Sequence, residues 1–559
     1  MADAPGRYEG EQWFGHPRGL STLFFTEMWE RFSYYGMRAL LILFMTASAT
    51  QANPGLGLGE GVSGAIYGLY TSMVYLLALP GGWIADNVWG QRRAVFVGGA
   101  IIAVGHFTLA APLVGLPELP SFFLGLLFIV LGTGLLKPNV STMVGDLYPT
   151  LADSASDHDR QIWGARRDAA FSMFYMGINI GAMLGPFICS TLGELWNWHV
   201  GFSAAGFGMV LGLVQYRMGD RYLGRAGLFE TSEEDRVIAA RRRNLYLSGA
   251  AAAAAAALAV FLLLSGAVEL LTFVTWVGYG ILLLVLLYFA YLIFGTGWAA
   301  GLLAIFGAVY VGLPGGTAAG RMAIITTLGV FVVMCLGLLA RGRNVSLDQK
   351  RLIVIFWLFL LAAIFWSGFE QAGSSMNLFA QDLTDRGMFG WEIPTGWLQN
   401  INPFFIIVLA PMFGATWTWL ARRDRNPSIP MKFALGLVGL AAGLFVLAWG
   451  ATYASETNRV SMAWLVVTYF LFTCGELALS PVGLSSMTKL APQGRLGQMM
   501  GVWFIAAALG NLFAGLVAAR LETLPAVTLF TNVAIFAGAS GLVAVLISPG
   551  VKRLMGGVS

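Results

Sequence analysis

Apolar windows of about 20 residues recur along the whole chain, the length a helix needs to cross a bilayer core. They predict spans near 20–46, 62–84, 93–115, 120–143, 168–190 and 201–219. A second set follows near 351–380, 400–421, 431–450, 462–487, 498–519 and 525–547. Between the sets, 220–350 opens on a basic stretch holding Arg236, Arg241, Arg242 and Arg243. Apolar windows then follow at 247–267, 268–296, 298–314 and 322–340. The 298–314 window is short and rich in glycine, and Pro314-Gly315-Gly316 reads as a turn, so this segment is expected to supply two to four spans. The pattern predicts an all-α polytopic membrane protein. Its expected parts are an N-terminal segment (1–19), a six-helix bundle (20–219), a linker with inserted helices (220–350), a second six-helix bundle (351–548) and a tail (549–559).

Polar positions inside the windows are few and clustered. In the first span, Glu27, Glu30, Arg31, Tyr34, Tyr35 and Arg38 fall within an arc of roughly 140° at helical spacing. Each ionisable group costs about 2.5–3.5 kcal/mol at a bilayer centre, so four cannot face lipid together. They must face a protein interior or a wet cavity. An interfacial helix start is the weaker reading, because the apolar run Ala39 to Met45 leaves Arg38 well inside the span. Elsewhere, Lys137 stands beside Pro138, Asn179 sits among small residues, and Glu370 and Glu476 lie in the second set. The spans then hold the acids Glu27, Glu30, Glu370 and Glu476 against the bases Arg31, Arg38 and Lys137. An uncompensated buried charge is expensive, so the empty interior is expected to hold about one proton on a carboxylate. Such a cluster can trade its proton for a salt bridge. Arg38 is the expected partner of Glu370, and Lys137 that of Glu476.

Composition agrees with the pattern. The 559 residues are 57% hydrophobic and only 11% charged, far from soluble averages. Long alternating strands are absent, which argues against a β-barrel. The net charge of +4 is no nucleic-acid signal, because the basic residues follow topology. With the N-terminus inside, Arg92, Arg93, Arg166, Arg167, Arg341, Lys350, Arg422, Arg423, Lys489, Arg495, Lys552 and Arg553 all fall in inside loops, and only Arg386, Arg459 and Arg520 outside. This bias places both termini in the cytoplasm and requires an even number of spans in the insertion. Cys189, Cys335 and Cys474 lie in apolar segments and read as small buried residues, neither disulfides nor metal ligands.

Gly82-Trp-Ile-Ala-Asp86-Asn-Val-Trp-Gly90-Gln-Arg92-Arg93 resembles the loop after the second span of the major facilitator superfamily, whose two six-helix halves rock about a central site. Three further motifs are more specific: Glu27-x-x-Glu30-Arg31-Phe32-Ser33-Tyr34-Tyr35-Gly36, Phe174-Tyr175-x-x-Ile178-Asn179-x-Gly181, and Gly475-Glu476 with Ser480-Pro481. Through them the chain resembles the proton-dependent oligopeptide transporter (POT) family from Leu20 to about Leu546, excluding 220–350. The resemblance implies proton-coupled symport of di- and tripeptides into the cell by alternating access, with the peptide between the two bundles. It implies proton coupling by Glu27, Glu30 and Arg31, and binding of the peptide carboxylate by Lys137 and Arg38. Glu476, with Asn179 and Asn402, would receive the amine. Tyr35, Tyr75, Trp366 and Trp503 would form pocket walls, with Ser480 nearby. Two features depart from the family. Animal members carry a histidine where this chain has Gly68, so coupling here must use carboxylates, and His106 reads as a packed or water-bonded histidine. The insertion is also longer than the two extra helices common in bacterial relatives.

The main alternative is a proton-coupled carrier of another anion or zwitterion, such as nitrate, an organic acid or an amino-acid derivative. Glu476 argues against a pure-anion site. An intramembrane hydrolase would need a Ser/His pair, an Asp pair or a zinc-ligand set at depth, and the windows hold none. No enzyme activity, metal or cofactor is therefore expected; protons are the coupling ion. The expected partners are di- and tripeptides, protons and the lipid bilayer. A monomer in a bacterial inner membrane is expected.

Overall fold

The computed structural model describes residues 11–148, 157–229, 235–342, 345–455 and 457–558; the first ten residues of the N-terminal segment and short pieces of 220–350 lie outside these. Eighteen α-helices follow in chain order. They are α1 Gly19–Thr46, α2 Glu60–Leu76, α3 Ala78–Ile84, α4 Gln91–Leu109, α5 Glu118–Asp146, α6 Asp157–Leu195, α7 Trp198–Gly219, α8 Asp235–Leu264, α9 Leu270–Phe294, α10 Thr296–Val311, α11 Gly316–Ala340, α12 Leu347–Phe369, α13 Ser375–Asp382, α14 Ile401–Ala421, α15 Ile429–Ala451, α16 Ala463–Leu490, α17 Leu496–Ala518 and α18 Ala526–Leu554. Every apolar window contains a helix, though several helices end short of their window. The strands among the described residues are two-residue pairs, such as Gln12–Trp13 with His16–Pro17, so no barrel forms.

Among the described residues, thirteen helical stretches are long and apolar enough to cross a membrane. Helix α1 has the length, but Glu27, Glu30, Arg31 and Arg38 lie along it. In the insertion, α8, α9 and α11 reach span length, whereas α10 has 16 residues, about 24 Å, short of a hydrocarbon core of about 30 Å. Gly295 and Gly315, at φ +96° and +81°, make the sharp entries to α10 and α11, a backbone region that side chains rarely tolerate.

Three expected spans differ in form. The 62–84 window breaks at Leu77, ahead of Pro80, into α2 and α3, and then runs into a π-helical turn at Ala85–Trp89. The 351–380 window is interrupted by a 3-10 turn at Glu370–Gly373, so Glu370 sits at a helix end, not in mid-helix. The 93–115 window stops at Leu109, where Pro112 enters a separate 3-10 turn. Continuous apolarity concealed all three breaks.

The described residues form two compact units. The first comprises the described residues of 11–57, 73–261 and 386–407; the second comprises those of 58–72, 262–385 and 408–558. In the first unit, glycines spaced by four bring α6 onto α1. A Cβ at Gly177 would lie 3.1 Å from the Phe24 carbonyl, one at Gly181 2.9 Å from Arg31 Cβ, and one at Gly185 2.9 Å from the Gly36 nitrogen. Small residues at this spacing let helix backbones approach in lipid, where no hydrophobic force drives helices together. Helices α4 and α5 meet the same way at Gly105 and Gly125. In the second unit, α15 and α16 cross at Gly439 and Gly475, and the first part of α2 crosses α17 at Gly68 and Gly515.

Candidate functional site

In the first unit, α1 places Glu27, Glu30 and Arg31 on one buried face, at 3%, 0% and 5% exposure. Arg31 Nε donates to Glu27 Oε1 at 2.7 Å and lies 3.0 Å from Glu30 Oε2. The Glu27–Arg31 contact is the i,i+4 pairing a helix provides. Glu27 Oε2 and both Glu30 oxygens are buried without a hydrogen-bond partner among the described residues. The cluster thus has two carboxylates, one guanidinium and free acceptor capacity, the composition expected of a group that takes and gives a proton. Gly181 shapes it, because any side chain there would press on Arg31 and the α1 backbone.

One helix away, Lys137 Nζ sits 3.7 Å above the centre of the Tyr75 ring, a cation–π contact. Lys137 also acts electrostatically on Glu30. Its position follows from the α3–α5 crossing, where a Cβ on Gly134 would lie 2.8 Å from the Leu77 carbonyl. Asn139, two residues on, donates to the Leu135 carbonyl at 2.6 Å inside a helix that runs on through Pro138. Tyr34 and Tyr35 pack edge to face at 5.2 Å, with the Arg31 guanidinium 6.0 Å from the Tyr34 ring. Arg38 is buried two turns further along α1. Asn179 donates to the Tyr175 carbonyl at 2.9 Å, so its amide is turned onto its own helix. Asn402 opens α14, half-buried, in this same unit.

The second unit holds the other expected residues. Glu370 is buried at the end of α12. Trp366, one turn earlier, packs on Phe369 at 5.4 Å, and its indole nitrogen is buried without a hydrogen-bond partner among the described residues. Glu476 and Ser480 are half-buried one turn apart on α16. The Trp503 ring lies over Gly483, where a Cβ would come within 2.8 Å of its Cζ2, and against Phe433 at 6.3 Å.

The loop after α3 binds within its own unit. Arg92 donates to the Ala226 carbonyl at 2.7 Å and lies 3.4 Å from Asp220, while Gln91 donates to Asp86 at 2.8 Å. Gly68 leaves no room for an imidazole, with the Gly515 Cα 2.8 Å and the Leu512 carbonyl 3.0 Å from where a Cβ would stand. His106 is fully buried, and neither ring nitrogen has a partner among the described residues. Sequence reading missed Glu194. Its carboxylate accepts from the backbone nitrogens of Thr395 and Gly396, at 2.6 and 2.8 Å. An acid closing a long apolar window was the available signal; the acceptors' partners lay far along the chain.

With this geometry in hand, comparisons place the chain. The family model described as the POT family matches residues 92–241 and 323–534. The chain belongs to the POT family. It is 39% identical to the peptide transporter YePEPT of Yersinia enterocolitica subsp. palearctica serotype O:3 (strain YE-P4), over 98% of this chain and 96% of that one. It is 33% identical to a di-/tripeptide transporter of Lactococcus lactis subsp. cremoris, over 98% of both chains. A crystal structure of a peptide transporter POT in complex with sulfate superposes with a TM-score of 0.78 at 35% identity, covering 100% of this chain and 98% of that one. This POT member is a multi-pass membrane protein of a transporter family, not an enzyme.

Proposed function

We propose that this POT family member is a proton-coupled symporter of di- and tripeptides working by alternating access. The observation that carries the proposal is the buried Glu27–Arg31–Glu30 cluster, with its unbonded carboxylate oxygens and Lys137 acting on Glu30. The names of the relatives point to the same substrate class.

In this reading, Lys137 and Arg38 take the peptide carboxylate. Drawing Lys137 toward a substrate anion removes positive charge from the neighbourhood of Glu30, and the carboxylate cluster compensates by taking a proton. Substrate and proton then enter together. Glu476 receives the peptide amine, helped by Asn179 and Asn402, while Tyr35, Tyr75, Trp366 and Trp503 bind side chains by area and Ser480 lies near. Aromatic walls tolerate varied side chains because they demand no fixed hydrogen-bond pattern. The pairings of Arg38 with Glu370 and Lys137 with Glu476 belong to the same proposal as gating salt bridges. So do residence in a bacterial inner membrane with both termini in the cytoplasm, and a monomeric state.

The test is uptake of labelled dialanine into proteoliposomes with an inside-negative potential and an acidic exterior. Accumulation abolished by an uncoupler is expected. Absence of accumulation by folded protein overturns the proposal.

A further inference from the structure

An apolar groove of about 810 Å³ opens in the second unit, away from every residue assigned above except Trp366's helix neighbours. Leu282 of α9 and Leu328 of α11 form one wall; Phe513 of α17 and Val533 and Phe536 of α18 form another, and α12 lines the floor. One wall therefore comes from the insertion, which the proposed transport cycle leaves without a role. Along α17 and the 3-10 turn Ala519–Glu522 that follows it, the groove runs from Leu509 to Arg520, about 17 Å, close to one leaflet of a hydrocarbon core of about 30 Å. An apolar slot of this length accommodates extended acyl chains.

The two ends of the groove are chemically unlike. At one end Arg520 is exposed, and no ion pair among the described residues uses its guanidinium. Among the described residues it is the one charged residue lining the groove, and no carboxylate lines it. The nearest acid in sequence, Glu522, is engaged by the backbone nitrogen of Gly61 at 3.0 Å. Asn532 adds an amide to the lining on α18, and apart from Ser367 and Ser540 the rest of the walls are aliphatic and aromatic. A single cation heading an apolar slot one leaflet long is complementary to an anionic head on hydrocarbon chains.

We propose that this groove is a resident site for an anionic glycerophospholipid, its phosphate against Arg520 and its acyl chains between the inserted helices and α12, α17 and α18. The insertion then serves to build a lipid site. The site is independent of the transport reading and stands or falls separately from it.

Native mass spectrometry of the full chain in detergent tests this, with phosphatidylglycerol and phosphatidylcholine of identical chains added at equal low ratio. One retained phosphatidylglycerol per chain is expected, favoured about tenfold, the worth of one charge-assisted contact. Arg520→Gln, at an exposed position, should remove that preference, while Lys552→Gln at another exposed cation should leave it unchanged. Ser540→Phe, which fills the groove, should lower retention of both lipids. Equal retention of the two lipids, or a preference that survives Arg520→Gln, overturns the proposal. So does a self-associated dimer that Ser540→Phe abolishes, which would make a second copy the occupant.

Discussion

Arg31 Nε donates to Glu27 Oε1 at 2.7 Å across one turn of α1, and the same nitrogen lies 3.0 Å from Glu30 Oε2. One guanidinium thus holds two buried carboxylates. Breaking such a group by removing one charge is costly, typically about 3–5 kcal/mol where a partner charge is left behind. Glu27→Gln or Glu30→Gln keeps the shape and removes a titrating group. Either should reduce proton-driven dialanine uptake at least about tenfold while exchange of peptide without a gradient survives in part. Driven uptake at the wild-type rate in both variants would remove the coupling role.

Lys137 and Glu476 should divide the two ends of a peptide. Lys137→Ala is expected to weaken dialanine uptake more than uptake of its C-terminal amide. Glu476→Ala should weaken it more than uptake of an amine-blocked analogue. Competition against labelled dialanine reads both, with losses of about tenfold or more expected for the intact zwitterion. Equal losses for blocked and unblocked ligands would take away these assignments.

Gly68 and Gly181 are fixed by close approach, not by backbone conformation. Gly181→Val presses on Arg31 Cβ at 2.9 Å and on the Phe32 nitrogen at 3.0 Å. Overpacking of this kind costs about 1–3 kcal/mol, so a lower melting temperature in detergent is expected together with loss of driven uptake. Gly68→His meets the Gly515 backbone at 2.8 Å and should lower the melting temperature by at least as much. A melting temperature unchanged in both variants would show that these crossings are looser than described.

His16 supplies a pH dependence outside the membrane-spanning helices. Its Nδ1 lies 2.6 Å from the Tyr148 hydroxyl. Burial first, and Arg166 second, hold the imidazole below the ordinary histidine range. Burial pushes the Tyr148 hydroxyl up to about 12, so it stays protonated. The unfolded chain therefore binds a proton on His16 at higher pH than the folded chain does. Stability from this site is present above about pH 6.5 and is lost as pH falls below it. The melting temperature should drop between pH 7.5 and 5, and drop less in His16→Asn. An equal drop in both would assign the effect elsewhere.

The positions of the spans and the polar face of α1 were legible because hydropathy and helical periodicity are local. Glu27, Glu30 and Arg31 could be grouped from spacing alone, since four residues make one turn. Breaks at Leu77 and Glu370 were not legible, because the apolar run continues through them. The glycines of α6 were visible at their spacing of four, but their partners on α1 were not. Glu194 was missed for the same reason: its acceptor role depends on Thr395 and Gly396, and such pairings are decided by tertiary packing.

The most direct measurement is proton movement on substrate addition. Proteoliposomes loaded with a pH-sensitive dye are held at an inside-negative potential, and dialanine is added outside. Prompt interior acidification is expected with the wild-type chain and none with Glu30→Gln. Wild-type liposomes that take up labelled dialanine with no acidification would contradict proton coupling through the α1 cluster.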